Sequence, residues 1–325
     1  MGMMIAGKWD ADADARTLVD GRFIRKESAF RSRITAEGDG AFKPEAGRYH
    51  LYVAYNCPWA HRTLIFRKLK GLEAAISVSI AIPNDRPNGW EFGDDRGATR
   101  DAVNGFTYLH QAYAATDPGY TGSVTVPVLW DKRRGVIVNN ESAEIIRMLN
   151  SAFRGVAGND DDYYPAELRA EIDRVNDAVY RGVNNGVYRC GFARTQAAYE
   201  EAFDLLFATL DEMEARLARQ RYLVGDRTTE ADWRLFCSLV RFDVVYNPLF
   251  KCNERAIASY PNLSNYLREL YQWPGIAETV VFSHIIRGYY AIRFVNPTGI
   301  IPKGPRDPAA ALRAPHDRAR FAAAA

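Results

Sequence analysis

The sequence predicts an α/β region followed by an all-helical region. Between residues 50 and 150, runs of β-branched and aromatic residues alternate with helical patterns. Beyond residue 163, apolar residues recur at the three- and four-residue spacing of amphipathic helices. A chain of 325 residues, 47% of them hydrophobic, is long enough for two domains with a core each.

The first region combines a βαβ unit with a β-hairpin and a final helix. Strands are predicted at residues 49–54, 75–80, 124–130 and 136–138, and helices at 58–70 and 141–149. This order is typical of a thioredoxin-like domain. Such domains have a cis proline before the hairpin strand, facing the active cysteine. Pro127 interrupts the third predicted strand, so we expect a cis bond there; the alternative is a trans proline at a sheet edge.

Composition divides the chain into four segments and one linker. The segments are an N-terminal arm at 1–46, the thioredoxin-like domain at 47–150, an all-helical domain at 163–296 and a C-terminal extension at 297–325. The linker, 151–162, is rich in Gly and Asp. We expect the arm to be irregular and to pack over a domain, and the extension to be extended and frayed at its tip.

The helical domain is predicted to contain four main helices. They cover residues 168–180, 199–219, 229–246 and 262–272. Thr229 and Asp232 have the spacing of a capping box, which predicts a helix start at this point.

Cys57 is the residue whose surroundings say most about chemistry. It follows the first predicted strand and precedes Pro58, which suits the first helical position because its missing N–H costs nothing. The thiol then faces the positive end of a helix, which favours the thiolate. Ala60 stands where a thioredoxin-type motif has its second cysteine, so the second thiol comes from elsewhere, and glutathione is the obvious supplier. The alternative is a buried, inert cysteine.

Composition excludes several other classes of protein. With 42 basic and 40 acidic residues the net charge is only +2, so no nucleic-acid partner is expected. The other cysteines, Cys190, Cys237 and Cys252, lack the spacing of a metal site or a disulfide framework. We therefore expect inert thiols there, no metal and a cytoplasmic setting. No apolar run has the length of a signal peptide or a membrane span, so no membrane association is expected.

Short motifs occur in a fixed order along nearly the whole chain. They are Gly7-Lys8-Trp9, Gly21-Arg22-Phe23, Tyr49–Tyr52, Asn56–Arg62, Gly89–Phe92, Val124–Asp131, Asn140–Arg147, Asn184–Tyr188, Leu239–Asp243, Phe250–Cys252 and Asn296–Ile300. In this order they resemble the motifs of glutathionyl-hydroquinone reductases, the Xi class of the glutathione transferase superfamily. The resemblance implies the glutathione transferase fold, a homodimer and glutathione as co-substrate.

The resemblance also implies a reaction and its catalytic residues. Enzymes of that family reduce glutathionyl-hydroquinones: the active cysteine takes the glutathionyl group as a mixed disulfide, and a second glutathione releases it as oxidised glutathione. Cys57 matches the nucleophile, and Tyr188 matches the tyrosine that donates and accepts the proton. Tyr246 and Tyr289 match tyrosines that lower the pKa of the cysteine. Without the resemblance, any one of the 18 tyrosines would more often be structural.

Seven residues match the family's glutathione site: Trp90, Val124, Thr125, Val126, Pro127, Glu141 and Ser142. Backbone groups beside Pro127 can pair with the cysteinyl part of glutathione as an added strand would. The helix start at Glu141 and Ser142 can hold the γ-glutamyl carboxylate, and Glu141 can pair with the amine. On spacing alone, Trp90 would be a loop anchor and Glu141 a helix cap.

Two other functions compete with this interpretation. One is a Cys-type glutathione transferase or thiol reductase of the omega kind, acting on dehydroascorbate or mixed disulfides. The other is a non-catalytic module that binds glutathione or hydrophobic ligands. Ser123 and the segment 247–249 depart from the family's pattern, which has an arginine and a histidine there, and leave the range of hydroquinone substrates open.

Overall fold

The computed structural model describes residues 2–37, 40–83, 87–95 and 97–321. They fall into two compact units, each assembled from separate stretches of the chain. The first unit contains Met1–Arg16, Lys26–Asp161 and Ser283–Ala291; the second contains Thr17–Arg25, Asp162–Phe282 and Ile292–Ala325. The break between Asp161 and Asp162 lies within the predicted linker 151–162. In addition, both units take a part of the predicted arm, and Ser283–Ala291 joins the first unit.

The described residues contain eight strands and eleven α-helices. The strands are β1 (Met3–Ile5), β2 (Lys8–Asp10), β3 (Thr17–Val19), β4 (Arg22–Ile24), β5 (Tyr49–Val53), β6 (Ile76–Ile80), β7 (Val128–Asp131) and β8 (Val136–Asn139). The helices are α1 (Pro58–Leu69), α2 (His110–Thr116), α3 (Ser142–Ser151), α4 (Arg169–Val179), α5 (Gly186–Phe192), α6 (Gln196–Leu217), α7 (Glu230–Arg241), α8 (Asn247–Leu249), α9 (Pro261–Tyr271), α10 (Phe282–Tyr290) and α11 (Pro308–Arg313).

A four-stranded sheet in the order β6-β5-β7-β8 forms the centre of the first unit. Strand β5 is parallel to β6 and antiparallel to β7, and β7 is antiparallel to β8. Every residue of β5 and β7 is buried, which explains their aromatic and apolar sequences. Helices α1 and α3 pack against each other. This is the predicted thioredoxin-like topology.

The segment before β7 differs in part from its prediction. The bond between Val126 and Pro127 is cis, as expected. Residues 124–127 do not belong to the sheet, however, because β7 begins only at Val128. A side chain replaces the strand partner: the Tyr113 hydroxyl donates to the carbonyl oxygen of Thr125 at 2.9 Å and accepts from its N–H at 3.1 Å.

The N-terminal arm is more regular than predicted. Strands β1 and β2 form one antiparallel pair in the first unit, and β3 and β4 form another in the second. Both turns have two central residues with positive φ, Ala6-Gly7 and Asp20-Gly21. That conformation matches the right-handed twist of a tight hairpin. The prediction of an irregular arm was wrong because three-residue strands give too short a pattern to recognise.

The second unit is mainly helical, and its helices confirm the helical predictions with shifted ends. Helix α7 ends at Arg241, and a π-helical turn, Phe242–Tyr246, completes the helix predicted up to 246. A second π-helical turn, Tyr180–Asn184, joins α4 to α5. The capping box is present: Thr229 N–H donates to the Asp232 carboxylate at 2.7 Å. None of the helices in the described part of the chain is long and apolar enough to cross a bilayer.

The C-terminal extension is not simply extended. It contains α11, and it places Arg318 in a fully buried position. The guanidinium of Arg318 donates to the carbonyl oxygens of Leu217 at 2.8 Å and of Gln220 and Arg221 at 2.6 Å each. These carbonyls lie at and beyond the end of α6, where no helical N–H can reach them. The predicted frayed tip, residues 322–325, lies outside the described residues.

We expect Arg318→Met to destabilise the second unit. The substitution leaves one buried and two half-buried carbonyl oxygens without their donor, which costs about 3–5 kcal/mol of unfolding free energy. Arg313→Met is the matched control, since Arg313 is exposed and its contact with Asp307 spans 3.7 Å. Chemical unfolding of both variants measures the difference, and equal stabilities would contradict the anchoring role of Arg318.

Candidate active site

Cys57 occupies the junction between β5 and α1. It is the N-cap residue of α1, with Pro58 at the first helical position, and its carbonyl oxygen accepts from His61 N–H at 3.0 Å. The thiol donates to the carbonyl oxygen of Val126 at 3.5 Å. The first unit thus brings Cys57 to the segment that the sequence assigned to glutathione.

The four cysteines differ in exposure. Cys57 is half-buried, whereas Cys190, Cys237 and Cys252 are buried. None of them forms a disulfide. Burial raises the pKa of the Cys252 thiol well above its ordinary value, which makes that sulfur a poor nucleophile. Of the four, Cys57 therefore has the best access to a small-molecule thiol.

Glu141 and Ser142 begin helix α3, as predicted. Glu141 is the N-cap, and one of its carboxylate oxygens accepts from Ala143 N–H at 3.0 Å. The other oxygen accepts from the Ser28 hydroxyl at 3.0 Å. Arg62 of α1 donates to the Ser142 hydroxyl at 3.3 Å, so the helix that starts at Cys57 is connected to the start of α3. Because Glu141 already accepts from the N–H groups of Ala143 and Glu144, an anion at this helix start would bind the first N–H, that of Ser142.

A buried tyrosine, Tyr113, hydrogen-bonds the backbone of the segment that contains Val124, Thr125 and Val126. Tyr113, fully buried, bonds both backbone groups of Thr125 and also accepts from Asn140 Nδ2 at 3.0 Å. Burial raises the pKa of the Tyr113 hydroxyl, which keeps it neutral and able to donate. These contacts give the segment a fixed path without making it a sheet strand.

Trp90 lies in the loop between β6 and α2. Its indole is half-buried. Its carbonyl oxygen accepts from Leu109 N–H at 2.9 Å, which ties the loop to the start of α2. This hydrogen bond fixes the backbone of Trp90, whose side chain is predicted to contact glutathione.

The predicted tyrosines lie in two places. Tyr188 on α5 and Tyr246 at the end of the π-helical turn Phe242–Tyr246 belong to the second unit, with ring centroids 6.1 Å apart. Phe250 contacts both rings, at 5.7 Å from Tyr188 and 5.5 Å from Tyr246. Tyr289, in contrast, belongs to the first unit. The second unit therefore contains two of the predicted catalytic tyrosines and the first unit contains the third.

Helix α10, which contains Tyr289, packs against the turn that holds the cysteine. A methyl group added to Gly288 would lie 2.4 Å from the Asn56 side-chain nitrogen and 2.8 Å from Asn56 Cβ, so the helix touches the residue before Cys57. His284, one turn earlier, packs edge-on against Tyr55 with ring centroids 5.4 Å apart. A C-terminal helix thus completes the surroundings of this turn.

Sequence reasoning missed several residues of the first unit that support the site: Ser28, Arg62, Tyr113 and Asn140. Arg62 and Asn140 lie inside recognised motifs, so proximity to the predicted site residues could have drawn attention to them. Ser28 and Tyr113 gave no sequence signal, because their partners are 113 and 12 residues away along the chain.

Comparison with family models identifies both halves of the chain. Residues 56–152 match the model for the N-terminal domain of glutathione S-transferases, and residues 196–269 match the model for the C-terminal domain. The fold and the cysteine at the start of α1 agree with these matches. They define a protein of the glutathione transferase superfamily.

Individual relatives indicate which group within the glutathione transferase superfamily this chain resembles. Glutathionyl-hydroquinone reductase PcpF of Sphingobium chlorophenolicum is 54% identical, over 95% of this chain and 97% of its own. Glutathionyl-hydroquinone reductase YqjG of Escherichia coli K-12 is 51% identical, over 94% and 95%. Its glutathione-bound structure superposes with a TM-score of 0.87 at 48% identity, covering 97% of this chain and 98% of that one.

A further solved structure, the Xi-class glutathione transferase of Natrialba magadii, has a TM-score of 0.92 at 46% identity and covers 99% of this chain and 98% of its own. The chain belongs to the glutathionyl-hydroquinone reductases, the Xi-class family of the glutathione transferase superfamily. The resemblance inferred from the motifs is thereby confirmed.

We expect Gly288→Ala to disturb the cysteine turn. Because the added methyl group collides with Asn56, α10 has to move, at a cost of about 1–3 kcal/mol in unfolding free energy. The rate at which iodoacetamide alkylates Cys57 should change as well, since Asn56 precedes it. Gly155→Ala is the control, because nothing lies within 4 Å of a methyl group there. An alkylation rate equal to wild type would mean that α10 does not influence the turn.

Proposed function

We propose that this chain reduces glutathionyl-hydroquinones to hydroquinones, with glutathione as reductant and Cys57 as nucleophile. The observation that carries the proposal is the position of Cys57, half-exposed at the start of α1 and 3.5 Å from the Val126 carbonyl oxygen. Two relatives above 50% identity that bear the name of this activity support the substrate class.

The first half of the reaction transfers the glutathionyl group to the protein. The Cys57 thiolate attacks the sulfur of the substrate thioether, and a disulfide between Cys57 and glutathione forms. The bond from sulfur to the aromatic ring breaks, and its electron pair stays on the ring carbon. That carbon takes a proton, which we assign to the Tyr188 hydroxyl, and the hydroquinone leaves.

The second half regenerates the thiolate. A second glutathione loses its thiol proton and attacks the glutathionyl sulfur of the mixed disulfide, which releases oxidised glutathione. The ring carbon has gained two electrons, and the two glutathione sulfurs have lost them. The helix N-terminus at Cys57 favours the thiolate in both halves, and hydroxyl donors from Tyr246 and Tyr289 would add to this effect.

We assign glutathione to the first unit. The supporting geometry is the nearness of the Cys57 sulfur to Val126, beside Pro127, and the connection from Arg62 to Ser142 at the start of α3. Val124, Thr125 and Val126 would pair with the peptide backbone of glutathione, and Glu141 and Ser142 would receive its γ-glutamyl end. Trp90 would cover it from the loop. A homodimer and a cytoplasmic location remain predictions from the sequence.

We expect Cys57→Ser to abolish reduction of glutathionyl-menadiol. A hydroxyl group is a far weaker nucleophile than a thiolate and forms no disulfide. Glutathione should still bind, since its proposed contacts lie elsewhere. Turnover assays and calorimetric titration with glutathione measure the two properties, and turnover near that of wild type would overturn the mechanism. Wild-type activity on dehydroascorbate in place of the hydroquinone conjugate would favour an omega-like enzyme.

We expect Tyr188→Phe to slow single turnover of glutathionyl-menadiol by roughly two to four orders of magnitude, the range over which general-acid catalysis acts. Alkylation of Cys57 by iodoacetamide should change little, because that reaction needs no acid. Tyr180→Phe is the control, an exposed tyrosine in the same unit. If Tyr188→Phe reduces both rates equally, Tyr188 supports the thiolate or the pocket and does not deliver the proton.

A further inference from the structure

The hairpin β3–β4 lies along α5, the helix that carries Tyr188. At one end, Arg194 N–H donates to the carbonyl oxygen of Gly21 at 2.9 Å. Along the hairpin, Phe23 packs edge-on against Phe192 with ring centroids 5.1 Å apart. These two contacts, a hydrogen bond and a ring pair, fix the direction in which the chain leaves β4.

Arg25 follows β4 directly and reaches the other end of α5. Its Nε donates to the side-chain oxygen of Asn185 at 3.0 Å. Its guanidinium carbon lies over the ring of Tyr188, 4.9 Å from the centroid. The backbone carbonyl oxygen of Asn185 also accepts a hydrogen bond from the Tyr188 N–H at 3.1 Å. Asn185 therefore bonds both the guanidinium of Arg25 and the backbone of Tyr188.

This placement matters because of what happens to Tyr188 in the proposed reaction. A hydroxyl that gives its proton to a ring carbon becomes a phenolate, and Tyr188 is only 8% exposed. Its ring neighbours are aromatic, among them Phe192 and Phe250. In such surroundings water stabilises the new charge poorly. A guanidinium is always charged, attracts a neutral ring weakly and attracts a phenolate much more strongly.

We propose that Arg25 is a positioning residue for the proton transfer, which orients the Tyr188 ring and stabilises the phenolate that forms as the proton leaves. The proposal rests on the function proposed above, with Tyr188 as the donor. The proton goes from the Tyr188 hydroxyl to the ring carbon while the carbon–sulfur bond breaks, and the thiol proton of the resolving glutathione, or water, restores the hydroxyl. The state that develops negative charge gains more from Arg25 than the neutral ring does, so the difference appears in the rate of turnover.

The test compares three variants of the full chain. Arg25→Gln removes the charge, and Arg25→Lys keeps the charge but loses the flat guanidinium. Arg22→Gln is the matched control, because Arg22 lies on β4 of the same hairpin and pairs with Glu201 on an exposed surface. Each variant is assayed for single turnover of glutathionyl-menadiol, KM for glutathione, alkylation by iodoacetamide and melting temperature.

Arg25→Gln should slow single turnover on the order of 10- to 100-fold, because it removes a positive charge that lies 4.9 Å from the centroid of the Tyr188 ring. Its KM for glutathione, its alkylation rate and its melting temperature should match those of Arg22→Gln. Arg25→Lys should recover part of the lost rate. In the Tyr188→Phe background, adding Arg25→Gln should cost little more, because no phenolate forms.

Several results would overturn the proposal. Turnover of Arg25→Gln at the wild-type rate would exclude a role of Arg25 in the reaction. Turnover of Arg25→Lys as slow as that of Arg25→Gln would exclude a role of its charge. A full additional loss in the Tyr188→Phe background would show that Arg25 acts independently of that tyrosine. Failure of the underlying function looks different, because the wild-type protein itself would then leave glutathionyl-menadiol unreduced.

Discussion

The turn between β5 and α1 is the constraint on which the first unit depends. Three features meet there: the end of a completely buried strand, the N-terminus of a helix, and the Val126 carbonyl oxygen 3.5 Å from the Cys57 sulfur. Each has its own structural cause, since burial fixes the strand, Pro58 fixes the helix start and Tyr113 fixes the segment before β7. A thiol held in this way has a defined direction of approach for a sulfur substrate.

The support for this turn comes from distant parts of the chain. Ser28 from the arm bonds the carboxylate of Glu141, and Arg31 bonds the carboxylate of Glu144, which lowers the pKa of Glu144 to about 2. Helix α10 arrives from the C-terminal half and packs its Gly288 on Asn56. The first unit therefore depends on a helix that follows most of the chain in the sequence.

The arm supplies a different kind of residue to each unit. In the first unit it supplies Ser28 and Arg31, which act on the start of α3. In the second it supplies Arg25, whose charge lies over Tyr188. A short hairpin with a two-residue turn suits this task, because its path is fixed by backbone geometry and needs no core of its own.

The sequence by itself determined the order of the four sheet strands and of helices α1 and α3, the helical second half, the cis bond before Pro127 and the position of Cys57 at a helix start. These follow from local patterns: buried strands need apolar runs, and a proline after an N-cap residue fixes the beginning of a helix. The motifs in order were specific enough to identify the family.

Only the tertiary structure decided which residues meet. The local pattern of 124–130 resembled a strand, yet a hydroxyl from Tyr113 satisfies the backbone of Thr125 where a neighbouring strand would have done so. The tail was predicted to be extended, yet the carbonyls that follow α6 hold Arg318 about a hundred residues further on. Likewise, nothing local to Arg25 indicates Tyr188. Long-range hydrogen bonds and ring contacts depend on which distant segments the fold brings together. Local sequence periodicity contains no information about that.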